Sequence, residues 1–375
     1  MERIYFDNAA TTALDPEVLD AMLPYLREKF GNPSSIYSYG RETRLAIENA
    51  RKTVARLLNA HPAEIFFTSG GTESSNTIIS GAVRNLGCRH IITSPIEHHA
   101  TLHTVTSLQK RGEVSLHYVE VLQNGHINLL HLQKLLSEMP GKTLVTLMHA
   151  NNEIGNITDL HEVGDLCRQY DAIFHSDTVQ TVGHLPFDLR TTPVHFITGS
   201  AHKFHGPKGV GLLYVNENIR IEPYLHGGGQ ERNMRAGTEN IYGIVGFAKA
   251  LELATARLEM DRTYINDLRL YMAAELRKNI PDVQFNGDPF GASNYTVLNV
   301  GFPMTERSEM LLMNLDMAGI CASGGSACSS GAQQGSHVIA AIHSNTLQMP
   351  VRFSFCRHNT RDEVDFVVEK LRSIY

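Results

Sequence analysis

Three stretches of this chain combine residue type and setting in a way that suits covalent or phosphate chemistry. Lys203 lies in Ser200-Ala201-His202-Lys203-Phe204-His205-Gly206-Pro207-Lys208-Gly209, between two apolar runs, so it stands at a strand exit in a Gly/Pro turn. A lysine desolvated in such a turn loses its charge readily and becomes a nucleophilic amine. Cys328 lies in Ser323-Gly324-Gly325-Ser326-Ala327-Cys328-Ser329-Ser330-Gly331, where no bulky neighbour shields the sulfur. Access and a stabilised thiolate are what a nucleophilic cysteine requires. Thr68-Ser69-Gly70-Gly71-Thr72-Glu73-Ser74 follows an apolar run and opens a helix, where free N–H groups and hydroxyls suit a phosphate. Its spacing is neither that of a Walker loop nor that of a dinucleotide fingerprint.

Further polar residues follow other apolar runs. Asp177, three residues before Gln180, could hold a ring nitrogen in its protonated form. The imidazole of Glu97-His98-His99-Ala100 could lie on an aromatic group or shuttle protons, and adjacent helical positions point apart, so one histidine of the two faces a site. Arg352 interrupts an apolar strand, and its guanidinium fork matches a carboxylate, either of a substrate or of a structural ion pair. Asn152, in Asn151-Asn152-Glu153-Ile154-Gly155, reads as turn chemistry. Taken one at a time, each has a plainer meaning: a surface lysine, a capped Gly turn, a helix-capping Asp, a small buried thiol.

These residues need a scaffold, and the sequence indicates one. From residue 64 to 215, short apolar runs alternate with longer amphipathic ones, the pattern of an α/β domain with a mostly parallel sheet. Seven strands are expected at 65–68, 90–93, 115–121, 144–149, 172–175, 196–198 and 210–215, with helices at 73–85, 100–111 and 131–138 between them. Open α/β sheets bind ligands at the carboxyl ends of their strands, and the polar clusters fall there. A long helical run over 241–278 leads to a second α+β unit, with strands at 297–301 and 351–355 and helices at 307–318 and 362–371. A chain of 375 residues exceeds what one core usually supports. The expected division is a large domain over 13–255 and a small one formed by 1–12 and 256–375.

With 42% hydrophobic and 19% charged residues and a formal charge of -6, the composition is ordinary for a soluble protein and gives no reason to expect nucleic acid or membrane as a partner. The first residues form no apolar targeting segment, so a cytoplasmic protein is expected. Five cysteines at 88, 167, 321, 328 and 356 make neither a disulfide framework nor a paired metal motif, and all but Cys328 suit buried thiols.

The joint order of the motifs is more specific than any one of them. Those above, with Tyr5-Phe6-Asp7-Asn8-Ala9-Ala10-Thr11-Thr12, Gly31-Asn32-Pro33-Ser34-Ser35, Gly227-Gly228-Gly229-Gln230-Glu231, Arg235-Ala236-Gly237-Thr238-Glu239-Asn240 and Arg352-Phe353-Ser354-Phe355, closely resemble the cysteine desulfurases. These are pyridoxal 5'-phosphate enzymes of the class V aminotransferase superfamily, fold type I. The resemblance implies a large domain with a mixed, mostly parallel seven-stranded sheet and a smaller α+β domain carrying the cysteine loop. It implies that Lys203 binds the cofactor covalently, His98 stacks on its ring, Asp177 pairs with the ring nitrogen and Gln180 with the phenolic oxygen. Thr72, Ser200 and His202 would hold the phosphate, joined by Thr238 from the second subunit of a homodimer, while Asn152 and Arg352 would grip the substrate carboxylate.

By the same resemblance L-cysteine becomes L-alanine, and its sulfur passes to Cys328 as a persulfide for an acceptor such as an iron–sulfur scaffold or a tRNA-thiolation protein. After the cysteine the chain reads Ala332-Gln333-Gln334-Gly335-Ser336-His337, where members serving the general iron–sulfur scaffold carry a Leu-Glu-Pro-Ser-like sequence, and it closes soon after its last helix. The acceptor's identity stays open. A selenocysteine lyase or another class V aminotransferase-type enzyme is the alternative within the superfamily. A non-catalytic sulfur-relay or assembly protein is the alternative outside it.

Overall fold

The computed structural model describes residues 3–305, 310–324, 335–343 and 348–375. The chain opens with β1 (Ile4–Tyr5), α1 (Pro16–Arg27) and α2 (Ser38–Leu57). Asp15 starts α1, accepting the Glu17 N–H at 2.8 Å, and Pro16 occupies the first helical position, where its missing N–H costs nothing. There follow β2 (Ile65–Thr68), α3 (Gly71–Arg84), β3 (His90–Thr93), α4 (His99–Lys110), β4 (Ser115–Tyr118), α5 (Leu129–Glu138), β5 (Thr143–Thr146), α6 (Leu160–Gln169), β6 (Ile173–Asp177), β7 (Phe196–Ser200) and β8 (Gly211–Val215). Strands β2 to β8 form one seven-stranded sheet in the order β2-β8-β7-β6-β5-β3-β4. Neighbours from β7 to β4 pair in parallel, while β8 runs antiparallel to both β7 and β2.

Both faces of this sheet are apolar because alternate residues of each strand point to opposite sides. Phe67, Ile92, Val145, Phe174, Ile197 and Leu212 join side chains of α1, α2, α5, α6 and the following long helix in one core. On the other face Ile91 and Leu144 pack with α3 and α4, and Phe66, Phe196 and Leu213 with Ile78 of α3.

Helix α7 (Ile241–Asn279), 39 residues long, is about 58 Å from end to end. Its first half buries Ile244, Phe247 and Leu251 against the sheet, and its second half buries Ile265, Leu268, Met272 and Leu276 in a separate core. That second core is built on β9 (Gln284–Phe285), β10 (Val297–Pro303), α8 (Leu311–Met317), β11 (Ile320–Cys321), β12 (Gln348–Ser354) and α10 (Arg361–Arg372), whereas α9 (His337–Ile342) buries Val338, Ile339 and Ile342 with Ile96 and Ile154. Strands β12-β10-β9 make an antiparallel sheet, and β1 pairs in parallel with β11, so Phe6 lies in the second core.

The sequence reading placed all seven strands of the large sheet but not their full extents or all the helices. β4 ends at Tyr118, three residues short of the expected 121, because its partner β3 ends at Thr93 and Val121 instead pairs with Ile127. Helices α1, α2 and α6 were not anticipated, although α2 carries a regular buried stripe from Thr43 to Ala55. Of the helix expected at 307–318, α8 covers Leu311–Met317, and the remainder of that stretch includes 306–309, outside the described residues. Cys88 and Cys167 are buried as expected, whereas Cys321 and Cys356 are half-buried.

Candidate active site

The carboxyl ends of β2, β6 and β7 lie along one edge of the large sheet, where Thr68, Gly211 and Ser200 sit side by side in register. A Cβ on Gly211 would come within 2.5 Å of the Gly70 Cα, so the glycine lets the turn into α3 cross close over the sheet. Beside this crossing is a cavity of about 250 Å3. Its walls carry Thr72, His98, Asn152, Asp177, Gln180, Ser200, His202, Lys203 and Arg352, with Ala9, Ala10, Met148 and Val179 among the rest. Nine of the residues singled out in the sequence, from Thr72 to Arg352, therefore converge on one space. Thr238 lies apart from them, beside Ser69, Gly209 and Arg235. Cys328 lies outside the described residues.

Lys203 closes a 3-10 turn, Ala201–Lys203, that follows β7 directly. Its amine donates to the carbonyls of Ala9 at 2.6 Å and Ala10 at 2.9 Å, and the Gln180 amide donates to the same Ala9 oxygen at 3.0 Å. The N-terminal segment thus lies against the lysine's reactive end. Asp177, the last residue of β6, is 6% exposed, and its Oδ1 accepts from the Val179 N–H at 3.0 Å. His98 caps α4, its Nδ1 accepting from the Ala100 N–H at 3.1 Å, which leaves Nε2 to carry the proton of the neutral ring. Burial holds this imidazole below its usual pKa, and Lys203 adds to that effect while Asp177 opposes it.

At the N-terminus of α3, Thr72 meets Ser200 and His202 across the cavity. Burial, with Lys203 and Lys208 nearby, pushes His202 down to about 4, so the ring is neutral at ordinary pH. Hydroxyls, a neutral imidazole and the first N–H groups of a 14-residue helix form an anion-binding set. Arg352, 1% exposed, donates through Nη2 to Asp7 at 2.7 Å and through Nη1 to the Asn152 carbonyl at 2.8 Å. Its Nε is buried without a hydrogen-bond partner among the described residues. A structural ion pair and a place on the cavity wall coexist in this one residue.

Sequence reasoning assigned no role to Glu97, although it precedes His98. Glu97 is 1% exposed; its Oε1 accepts from Ser94 Oγ at 2.7 Å and from the Met148 N–H at 3.1 Å, tying the β3–α4 loop to the end of β5. Burial pushes its carboxyl up to about 8, so it is protonated at neutral pH. Ala9, Ala10 and Asp7 were also missed as contacts, although their motif was noted. A backbone carbonyl has no side-chain signature, and Asp7 lies 345 residues from its partner.

The chain's residues 4–367 match the family model described as Aminotransferase class-V. It belongs to that family of enzymes. Among its relatives is Cysteine desulfurase IscS of Dictyoglomus turgidum, 43% identical over 99% of this chain and 96% of the relative. Among solved structures it resembles a NifS-like protein with a TM-score of 0.91 and 38% identity over 99% of both chains. It also resembles SspA in complex with cysteine, with a TM-score of 0.80 and 29% identity over 95% of this chain and all of that one. Within the class V family the chain is thus a pyridoxal-phosphate-dependent cysteine desulfurase with the fold type I architecture. The site's own chemistry fits that cofactor: an amine for its aldehyde, a buried carboxylate, an imidazole on the cavity wall and neutral donors for a phosphate. Among the described residues no helix is long and apolar enough to cross a membrane.

Proposed function

We propose that the cavity around Lys203 converts L-cysteine to L-alanine and passes the substrate's sulfur to Cys328, from which an acceptor protein collects it. The observation that carries this reading is the convergence of an amine, a buried carboxylate, an imidazole, a phosphate cradle and an arginine on one cavity. Lys203 would hold the cofactor's aldehyde, Asp177 its ring nitrogen, Gln180 its phenolic oxygen, and Thr72, Ser200 and His202 its phosphate. When bound, pyridoxal phosphate supplies an electron sink conjugated to the substrate's α-carbon.

The remaining work falls to the chain. Arg352 and Asn152, both on the cavity wall, orient the substrate carboxylate through the guanidinium and the asparagine side chain. Lys203 would take and return protons at the α-carbon, and His98, with its Nδ1 engaged by Ala100, would hold a proton at Nε2. The Cys328 thiolate forms a bond to the substrate sulfur as the C–S bond breaks. That bond's electron pair stays on carbon, which takes up a proton to give alanine, and the sulfur remains as a persulfide.

Contacts on both sides of the cysteine stretch support this role. Ser323 pairs with Arg352, Ser336 donates to the Glu153 carboxylate at 2.5 Å, and His337 donates to the Glu97 carbonyl at 3.0 Å. Each partner is a cavity residue or its immediate neighbour in sequence. We further place the domains at 13–255 and at 1–12 with 256–375, in a homodimer whose second subunit supplies Thr238 to the phosphate. The acceptor is an iron–sulfur scaffold or a tRNA-thiolation protein, and the enzyme works in the cytoplasm.

The test uses two variants. Lys203→Ala should lose both the cofactor's visible band and alanine formation. Cys328→Ala should keep the band and lose persulfide and alanine; unimpaired alanine production from L-cysteine in Cys328→Ala would refute the desulfurase mechanism and favour a lyase that needs no cysteine.

A further inference from the structure

Lys203 is gripped at both ends. Ala9 and Ala10 accept from its amine, and its own carbonyl accepts from His184 Nε2 at 2.9 Å. A carbonyl can only accept, so His184 must present Nε2–H to it, which fixes the tautomer and leaves the Nδ1 lone pair free. The Tyr295 hydroxyl lies 3.3 Å from that Nδ1, and the two rings meet edge to face. Tyr295 is 5% exposed and packs in the second core. Its neighbour Asn294 donates to the Gln180 carbonyl at 2.9 Å. Two consecutive residues of one segment therefore reach, directly or through one imidazole, the backbones of two residues on the cavity wall.

We propose that His184 and Tyr295 are positioning residues for Lys203: they fix the carbonyl of the lysine turn and thereby the direction from which its amine enters the cavity. This rests on the reading of Lys203 as the residue that carries the cofactor. Only a neutral His184 can donate from Nε2 while accepting at Nδ1. Burial keeps the ring below its usual pKa, with Asp261 and Arg357, which exert opposing effects, as the charged groups near it and His205 as the neighbouring imidazole. The sequence hides the arrangement because His184 and Lys203 are 19 residues apart and Tyr295 is 111 from His184.

The test takes the holoenzyme with Tyr295→Phe, His184→Ala and His184→Gln, whose amide N–H can replace Nε2–H. The readouts are the pH midpoint of the bound cofactor's visible absorbance, and kcat and KM for L-cysteine measured separately. Misaligned reacting groups lose rate rather than ground-state affinity, so in Tyr295→Phe and His184→Ala kcat should fall on the order of tenfold, with KM within about twofold. The absorbance midpoint should move in the same two variants, and His184→Gln should restore both quantities relative to His184→Ala. An unmoved midpoint and kcat with only a lower melting temperature would reduce the relay to ordinary packing, and His184→Gln as impaired as His184→Ala would also overturn it. Lys203→Ala separates the two levels. If that variant keeps the visible band, the underlying reading of Lys203 fails; if it loses the band while the others leave it unmoved, only the positioning role fails.

Discussion

Replacing Glu97 by Gln tests whether the carboxyl beside His98 is held protonated. The folded pKa is about 8 against an ordinary 4.5, and burial is the main cause. A carboxyl whose pKa is raised by folding contributes its full stabilisation below the unfolded value and loses it as pH climbs through the folded one. Integrated from pH 6.5 to 8.0, the loss is about 1.6 kcal/mol for a group with these two constants. The amide of the Glu97→Gln variant has no proton to lose in this range, keeps an oxygen for Ser94 and the Met148 N–H, and fills the same volume. The stability of Glu97→Gln relative to wild type should therefore increase by about 1.6 kcal/mol across that interval, whatever its offset at the lower pH. The buried histidines titrate alike in both proteins and cancel in the difference. Urea unfolding at three pH values, with midpoints compared at equal slope, measures it. Wild-type and variant profiles that run parallel from pH 6.5 to 8.0 would refute the protonated carboxyl.

Acid should act in the opposite sense through His175, which is fully buried, has one side-chain hydrogen-bond partner among the described residues, Thr146 Oγ1, and is pushed down to about 3 by burial. A depressed imidazole loses stability as pH falls below 6.5, so His175→Leu should lessen the acid loss by about 1.6 kcal/mol between pH 6.5 and 5.0; superimposable acid limbs would refute it. Arg352→Lys keeps the charge but not the fork, and losing one charge-assisted hydrogen bond predicts a KM for L-cysteine about tenfold higher. An unchanged KM would leave Arg352 with only its structural pair to Asp7. Arg51 and Glu231, each 2% exposed and joined at 2.8 Å, form a buried pair near the 227–240 segment. Arg51→Met should cost about 3–5 kcal/mol by leaving a buried carboxylate without its cation, and adding Glu231→Met should recover part of it in denaturant melts, since the Phe67 N–H then loses its acceptor.

The sheet was legible because its strands are short apolar runs bounded by polar turns: β2 and β3 fall where periodicity put them. The cavity was legible in part because chemistry at strand ends leaves compact signatures, as at Asp177 after β6 and Lys203 after β7. Contacts that depend on tertiary closure were not. Nothing near Arg352 in sequence announces Asp7, and nothing near Lys203 announces the Ala9 carbonyl, 194 residues away. The halves of α7 serve different cores, yet its sequence is one uninterrupted helical run, so a border between units cannot be read from a break in periodicity there.

The N-terminal strand imposes an order on biosynthesis. Ile4 pairs with Ile320, Asn8 bonds to the Ser354 carbonyl and Asp7 to Arg352, although residues 4–8 leave the ribosome long before those partners. Those partners are made more than 300 residues later, so the leading segment cannot make these contacts until the chain has been synthesised past residue 354. Docked against the second core, the same segment presents the two carbonyls that meet the Lys203 amine. A chain stalled before residue 354 can have its sheet, lysine turn and phosphate cradle in place and still lack the contacts that seat the N-terminal wall of the cavity. Completion of the active site is thereby linked to synthesis through residue 354, and a product truncated before it lacks the contacts that seat the N-terminal wall of the cofactor cavity.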